Sequence, residues 1–527
     1  MKYLVLILLI LVLFSVPSYS GQTQKKSWTV MVYLDADNNL EGAGIKDFNE
    51  METNGSTNSM NVIVEMDRVD GYDSSNGNWT GAKIFYVKKD SDMRTINSEM
   101  LKDLGEVNMG DPSSLTDFVK YSKENYPADH YALIIWNHGG GWKKRKKTRH
   151  PLIKGVAYDD TDNDHLTMAE VKAAMETIKN TLGQKLDVLD YDACLMGMIE
   201  VAYQIKDSVS YFSASEETEP GDGNPYDTIL PEISSGTSAA DFAKTIAEKY
   251  TKSYESGWSS VTKAAIDLSK ISTVVEAINS SVASMQGKMA SMQNAISSAR
   301  NSVLEFYDSD YVDLKDLGSK INGFSSITSA VSSAVIYNGH TGSMTKSTGL
   351  SIYFPKTSSR YLSRYDGLSF AQDSSWNEFL KRYYDPSSDT TVSDDDNGSG
   401  SDDTTTVSDD DNGSGNNDDT TTVSDDPPGL AHLIAQLLDL IFGKDKVMRN
   451  GSIDELKLNV MINREQEIEN MINSKIFDAI NNKDISAIQE FNQILNTLNA
   501  QQKAAIMPFL NDLRMQIKFR RLQNVQK

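Results

Sequence analysis

Cys194 is the single cysteine of this 527-residue chain, and it lies in the segment DVLDYDACLMGMIE, residues 187–200. A thiol becomes a strong nucleophile when it loses its proton, and a helix N-terminus lowers the pKa of a nearby thiol. The segment predicts a strand that ends beside Cys194 and a helix that begins at about residue 195. Cys194 is therefore a candidate nucleophile, although a lone cysteine can also serve as a small buried apolar residue.

His138 is the candidate partner of Cys194. It follows the apolar segment HYALIIW and precedes three glycines, and position 194 comes 56 residues later. Both residues are predicted at strand ends, where ligands bind in α/β sheets, and the glycines would let backbone N–H groups approach a ligand closely. The spacing is similar to that of caspases, whose histidine lies about 50 residues upstream of the cysteine. Taken alone, His138 could also be a loop histidine without a role.

The elements that must position these residues form an α/β pattern. Apolar strands are predicted within 28–40, 61–67, 83–87, 130–142, 185–197, 209–223 and 348–355, and helices over 165–182, 195–206, 239–254 and 268–306. Buried strands that alternate with helices are typical of a mostly parallel sheet with helices on both faces. We expect one α/β domain over residues 25–385.

The N-terminal segment predicts export. A positive charge at Lys2, an apolar run from Leu4 to Phe14, and the small residues Ser18 and Ser20 indicate a signal peptide over residues 1–20. The run is shorter than the roughly 20 residues of a membrane span. We expect a secreted protein, periplasmic, cell-surface or extracellular, with no transmembrane segment after signal removal.

Two further regions are predicted after the α/β domain. Residues 386–428 contain thirteen aspartates, no Lys, Arg or Glu, and three copies of TTVSDD, which predicts a disordered acidic linker. Residues 429–527 show apolar residues at helical spacing and predict a small all-α module, whose partner is unknown. The net charge of −23 disfavours a nucleic-acid partner, which requires a basic face.

Six segments resemble the clostripain-like cysteine peptidases, a family grouped with caspases, legumains and gingipains. They are WTVMVYLDADNNL, WNHGGGW, GVAYDDTDNDHLTMAEV, LDYDACLMGMIEVAYQI, SASEETEPGDGNPY and GLSIYFP. The resemblance implies a caspase-like fold in which Cys194 attacks the scissile carbonyl and His138 transfers protons. It places the oxyanion on the backbone N–H groups of Gly139 and Cys194. No cofactor is required and no metal ligands are predicted, although some relatives depend on calcium.

The resemblance also implies cleavage of protein or peptide substrates after Arg or Lys. Asp192 and Asp222 match acidic positions of the family's substrate pocket. Without the resemblance, Asp192 could cap the following helix and Asp222 could be an ordinary turn residue. The basic run WKKRKKTRH, residues 142–150, resembles a self-cleavage loop, with Lys147 and Arg149 as candidate processing residues of a zymogen.

One acidic segment partly matches a calcium-binding loop. In DDTDNDHLTMAE, residues 159–170, Asp159, Thr161, Asn163 and Glu170 match calcium-loop positions, but Asp164 replaces the glycine that the tight turn requires. Thr167 and Glu170 instead predict a capping box for the next helix.

Two alternatives to an Arg- or Lys-specific peptidase remain open. One is a legumain-like peptidase with another specificity. The other is an inactive or incidental peptidase-fold domain within an adhesin or partner-binding surface protein, in which the spacer and the helical module carry the function.

Overall fold

The computed structural model describes residues 25–143, 155–257 and 259–389, with two short strands at Met448–Arg449 and Ser452–Ile453. The chain forms two compact units, Met1–Asp394 and Asp395–Lys527. The predicted signal peptide, the linker beyond residue 389, and all of the predicted helical module except those two strands lie outside the described residues.

A nine-stranded sheet forms the centre of the first unit, in the order β12-β10-β9-β8-β5-β1-β2-β3-β4. The five central strands are parallel, and an antiparallel pair extends the sheet at each side. Its strands are β1 (Lys26–Ala36), β2 (Met60–Arg68), β3 (Ala82–Tyr86), β4 (Glu99–Gly105), β5 (Ala128–Trp136), β8 (Leu186–Asp192), β9 (Val209–Ala214), β10 (Thr262–Asp267) and β12 (Val335–His340).

Among the described residues, six strands lie outside this sheet and form three antiparallel pairs. These are β6 (Val156–Asp159) with β7 (Asp164–Leu166), β11 (Tyr311–Asp313) with β13 (Ser351–Tyr353), and, in the second unit, β14 (Met448–Arg449) with β15 (Ser452–Ile453).

Helices cover both faces of the large sheet. They are α1 (Glu41–Asn54), α2 (Pro112–Asn125), α3 (Met168–Leu182), α4 (Ile199–Ile205), α5 (Tyr226–Ile229), α6 (Ala239–Tyr254), α7 (Ile271–Ala283), α8 (Met289–Ser302), α9 (Leu314–Lys320), α10 (Ser325–Ala334), α11 (Ser369–Asp373) and α12 (Trp376–Tyr384). Short 3₁₀ helices occur at Leu230–Glu232, Leu268–Lys270, Ser358–Arg360, Ser363–Gly367 and Pro386–Ser388. Among the described helices, none combines the length and apolarity that crossing a bilayer requires.

Strand β1 shows why the sheet is buried on both sides. Successive side chains of a strand point to opposite faces. Met31 and Tyr33 join one apolar core, whereas Val30 and Val32 join the other, and all four are buried. A strand in this position must be apolar at almost every residue, which explains the near-continuous run in the sequence. The expected α/β fold with a largely parallel sheet is confirmed.

Candidate active site

Strands β5 and β8 bring the predicted nucleophile and its predicted partner to one edge of the sheet. The two strands are parallel neighbours, and Trp136 pairs in register with Asp192 at their last residues. His138 and Cys194 each lie two residues beyond this pair. Both line one cleft of about 110 Å³, whose wall also includes Leu40, Trp136, Asn137, Asp192, Ala193, Glu219, Pro220, Gly221 and Gly223.

His138 contacts a residue that the sequence reasoning missed. Its Nε2 lies 2.8 Å from Oδ1 of Asn39, which belongs to the turn directly after β1. Burial lowers the pKa of His138 to about 4, so the imidazole is neutral at pH 7. The signal for Asn39 in the sequence was the polar turn DADNNL at the end of an apolar strand. Asn39 can hold the imidazole in one orientation.

The environment of Cys194 differs from the expected one. Helix α4 begins at Ile199, so the prediction of a helix from residue 195 is wrong and the N-terminus of α4 does not adjoin the thiol. The backbone N–H of Glu219 donates a hydrogen bond to Sγ at 3.2 Å. Burial nevertheless raises the pKa of the Cys194 thiol to about 12. The pair in this structure therefore consists of a neutral thiol and a neutral imidazole.

A strained turn delays the helix after Cys194. Leu195 has φ of 62°, a left-handed conformation that costs a non-glycine residue about 1–3 kcal/mol. Its N–H donates to the carbonyl oxygen of Glu217 at 3.0 Å, and the N–H of Gly197 donates to that of Ser215 at 2.7 Å. The segment after β9 thus fixes the turn that presents Cys194.

Gly139 lies against the peptide group of the candidate nucleophile. A Cβ atom added to Gly139 would lie 2.4 Å from the carbonyl oxygen of Cys194 and 3.0 Å from its nitrogen. Those distances are shorter than a van der Waals contact, so the fold requires glycine here. The backbones of the two residues expected to hold an oxyanion are therefore adjacent.

Asp192 is a buried carboxylate on the cleft wall. It accepts a hydrogen bond from the Tyr226 hydroxyl at 2.8 Å and from the backbone N–H of Asn224 at 3.2 Å. The N-cap residue of α4 is Met198, so the alternative that Asp192 caps this helix is wrong. A second buried carboxyl group, Asp47, accepts from the Trp136 indole at 2.8 Å. Burial, and after it the nearby Asp192, raises the pKa of Asp47 well above its ordinary value.

Asp222 occupies a different position from Asp192. Its side chain is 42% exposed, and it forms an ion pair of 2.9 Å with Lys46. The cleft wall contains its neighbours Gly221 and Gly223. A ligand cation would have to compete with Lys46 for this carboxylate.

Lys263 fixes the segment that covers Cys194. Its buried ammonium group lies 2.9 Å from Oε1 of Glu219 and 3.4 Å from Oδ1 of Asp190. It also donates to the carbonyl oxygen of Tyr191 at 2.7 Å. The Lys263 ammonium group thus contacts both the segment around Glu219 and the end of β8.

The basic run begins with a lysine that is not available to a protease. Lys143 Nζ lies 2.7 Å from Asp310 and 2.8 Å from Asp308, and its side chain is 11% exposed. The rings of Tyr311 and Tyr353 lie about 5 Å from the same ammonium group. The candidate processing residues, numbers 147 and 149, lie outside the described residues.

The acidic segment 159–170 contains the predicted helix cap. The Thr167 hydroxyl accepts from the N–H of Glu170, and the Glu170 carboxylate accepts from the N–H of Thr167 at 2.8 Å. The capping box of α3 is confirmed.

Comparison with known proteins identifies the family. The clostripain family model matches residues 32–383. Clostripain from Hathewaya histolytica is 34% identical over 242 residues, which are 42% of this chain and 45% of that protein. The match therefore spans less than half the length of this curated relative.

Two solved structures share the fold. One is a secreted C11 cysteine protease from Bacteroides thetaiotaomicron in complex with an irreversible peptide inhibitor, with a TM-score of 0.52 and 22% identity over 67% of this chain and 99% of that one. The other is an inactive zymogen C11 protease from Parabacteroides distasonis, with a TM-score of 0.52 and 21% identity over 66% of this chain and 98% of that one. Because the family model matches more than half of the sequence, the chain belongs to the clostripain family of cysteine peptidases.

Proposed function

We propose that this protein is a secreted cysteine endopeptidase that cleaves after Arg or Lys through the dyad of Cys194 and His138. The observation that carries the proposal is the shared cleft at the carboxyl ends of β5 and β8, which contains both residues and the buried Asp192. The two solved structures named above are described as C11 proteases, which supports the same reaction.

The reaction begins with a proton transfer because both members of the dyad are neutral. His138 takes the thiol proton, and the Cys194 thiolate attacks the scissile carbonyl carbon to form a tetrahedral intermediate. The backbone N–H groups of Gly139 and Cys194 stabilise its oxyanion. His138 then protonates the leaving amine, and the C–N bond breaks to leave a thioester. Water, deprotonated by His138, hydrolyses the thioester, and Asn39 keeps the imidazole oriented throughout.

The preference for a basic substrate residue follows from Asp192. A carboxylate removed from water binds a guanidinium or ammonium group strongly because little solvent screens the two charges. Asp222 contributes less, since Lys46 already pairs with it.

Activation by self-cleavage fits the fixed position of Lys143. A protease must draw its substrate into an extended conformation, and a lysine held by Asp308 and Asp310 resists this. We therefore place the cut after one of the following basic residues, with Lys147 and Arg149 as the candidates. Lys143 then anchors the new C-terminal end to the rest of the protein.

The signal peptide, the acidic linker and the C-terminal module act outside the peptidase domain. The signal peptide directs the chain out of the cytoplasm, the acidic linker tethers the C-terminal module, and the module binds an unknown partner. Peptidases of this family generally need no cofactor, and the dyad chemistry uses none.

A comparison of the wild type with Cys194→Ala tests the proposal. The wild type should hydrolyse Arg and Lys reporter peptides faster than Asn reporters, and its intact mass should show a cut within 144–149. Cys194→Ala should show neither. Turnover that survives in Cys194→Ala, or a preference for Asn reporters, would contradict the proposal.

A further inference from the structure

The part of the chain that follows the basic run lies against the loop that contains His138. Residues 155–160, here called the β6 segment, include strand β6. The N–H of Gly140 donates to the carbonyl oxygen of Gly155 at 3.1 Å, and Gly139 forms an antiparallel β-bridge with β6. The β6 segment is thus paired with the two glycines that follow the candidate catalytic histidine.

One carbonyl group of the β6 segment connects the turns that follow β1 and β5. The carbonyl oxygen of Tyr158 accepts a hydrogen bond from the side-chain amide of Asn38 at 2.9 Å and from that of Asn137 at 3.1 Å. Asn38 directly precedes Asn39, and Asn137 directly precedes His138. The Tyr158 backbone therefore fixes the neighbours of both residues in the Asn39–His138 contact.

The Tyr158 side chain also packs against the imidazole of His138. The two ring centroids lie 6.4 Å apart and the ring planes meet at 77°, an edge-to-face arrangement that aromatic pairs prefer. The ring of His165, on β7, stacks on Tyr158 with a centroid distance of 5.3 Å and an angle of 9°. Tyr158 is 5% exposed. The Tyr158 ring is therefore held by β7 while it packs against the imidazole.

Strand β6 is irregular directly before Tyr158. The register between β6 and β7 shifts between Val156 and Tyr158, and Ala157 has φ of 56°. This left-handed conformation costs a non-glycine residue about 1–3 kcal/mol. Bulges of this kind occur next to active sites, where they redirect a side chain. The bulge gives Tyr158 a direction that a regular strand would not, at the cost of strain in Ala157.

We propose that Tyr158 is a positioning residue whose ring fixes the plane of the His138 imidazole, with the β6 segment holding that ring in place. The inference rests on the proposed function, in which His138 transfers protons. A catalytic group must stay within about 10–20° of its productive orientation. Asn39 contacts the imidazole at one atom, Nε2, which leaves the ring plane free to tilt about that contact. The Tyr158 ring supplies the second constraint.

Steady-state kinetics with an Arg reporter peptide test the proposal in the full-length enzyme. Tyr158→Leu should lower kcat by about tenfold, a part of what general acid–base catalysis contributes, and leave KM nearly unchanged. Tyr158→Phe should keep nearly all of the wild-type kcat, because the Tyr158 hydroxyl has no hydrogen-bond partner among the described residues. The matched control is Tyr131→Leu, which removes an equally buried ring from the first half of β5, away from the cleft, and should keep kcat.

A spectroscopic measurement tests the same role without activity. In full-length Cys194→Ala, ¹⁵N NMR of the imidazole nitrogens reports the tautomer of His138, and His138→Ala in the same background assigns the signals. We expect one dominant tautomer in Cys194→Ala and after the further change Tyr158→Phe. The further change Tyr158→Leu should give averaged nitrogen shifts, because the imidazole loses its fixed orientation.

An unchanged kcat in Tyr158→Leu, or an equal loss in Tyr158→Phe or Tyr131→Leu, would overturn the proposal. If Tyr158→Leu does not fold, His165→Ala decides: it removes the ring stacked on Tyr158 and should lower kcat by a smaller factor, and an unchanged kcat would count against the proposal. A wild type without turnover of the reporter contradicts the proposed function instead. The NMR comparison then decides, and a single tautomer in the Tyr158→Leu protein would overturn the role of the ring.

Discussion

The backbone N–H of Glu219 donates a hydrogen bond to Sγ of Cys194 at 3.2 Å, and the Glu219 side chain is held by buried Lys263. The thiol is thus enclosed by a segment that is itself fixed. Because burial dominates the electrostatics here, the pKa of Cys194 rises to about 12 despite the N–H donor. The uncleaved protein should therefore contain a poorly reactive cysteine.

Alkylation by iodoacetamide tests this state in a variant whose basic residues at 144–147 and 149 are replaced by Gln, so that the loop cannot be cut. Only the thiolate reacts with iodoacetamide. The alkylation rate of Cys194 should therefore rise about tenfold per pH unit from pH 7 to 11. The same protein in denaturant provides the control, and its rate should level off above the ordinary thiol pKa of about 8.5. A native rate that levels off below pH 9 would contradict the raised pKa.

Gly139→Ala should inactivate the enzyme. The added methyl group would collide with the Cys194 peptide and displace the proposed oxyanion donors. Loss of one such donor costs about 10²–10³ in kcat, so a fall of at least this size is expected in reporter assays. Gly236→Ala is the control because a Cβ there meets nothing within 4 Å. Activity of Gly139→Ala near that of the control would exclude the proposed oxyanion site.

Asp192→Asn should weaken cleavage after Arg and Lys. A charge-assisted hydrogen bond contributes about 1.5–3 kcal/mol, which corresponds to about 10–10²-fold in kcat/KM. Asp222→Asn should lower kcat/KM by less, since this carboxylate is 42% exposed and pairs with Lys46. A larger loss for Asp222→Asn than for Asp192→Asn would reverse the assignment of the specificity residue.

Asn39→Ala should lower kcat and leave KM nearly unchanged. The substitution removes the group that contacts His138 Nε2, and this contact orients the imidazole without touching substrate. A loss of about tenfold is expected, which is a part of the 10²–10⁴-fold that general acid–base catalysis contributes. Asn39→Gln, which keeps the amide, should recover part of the rate. An unchanged kcat in Asn39→Ala would show that another group orients the histidine.

Lys143→Met should destabilise the protein by about 1–3 kcal/mol, the cost of leaving a buried polar group without its partner. Asp308 loses its cation, whereas Asp310 keeps Arg360 at 2.7 Å. Lys25→Met removes an exposed ion pair and should change the unfolding free energy by less than about 1 kcal/mol. Chemical denaturation of both variants in the Cys194→Ala background gives the comparison. Equal effects would mean that Lys143 is not an anchor.

The five parallel strands of the central sheet and the neighbouring β3 could be predicted from sequence because they are largely apolar runs. The antiparallel strands β10 and β12 were not predicted. The edge strand β4 was not predicted either, since most of its residues are exposed and no apolar pattern marks it. The predicted helix over 268–306 is two helices, α7 and α8, and the break contains Gly287 with φ of 71°. The late helix start after Cys194 was missed because nothing local in Leu195 indicates a left-handed conformation.

The dyad candidates could be predicted because each follows its own strand, and strand ends of a parallel sheet meet at one edge. The residues that hold the dyad in place could not be predicted. Asn39 lies 99 residues from His138, and Lys263 lies 44 residues from Glu219. Such contacts depend on the order of strands in the sheet, which one sequence does not specify.

The β5–β8 pair divides the large sheet into an earlier and a later part of the chain. Within the large sheet, β1 to β5 precede the basic loop, whereas β8, β9, β10 and β12 follow it, and the two groups adjoin at this single pair. A cut in the loop would place His138 on one polypeptide and Cys194 on the other. Catalysis would then depend on the association of two fragments, so two separately expressed halves should complement each other. Their activity should fall on dilution below the dissociation constant of the two fragments.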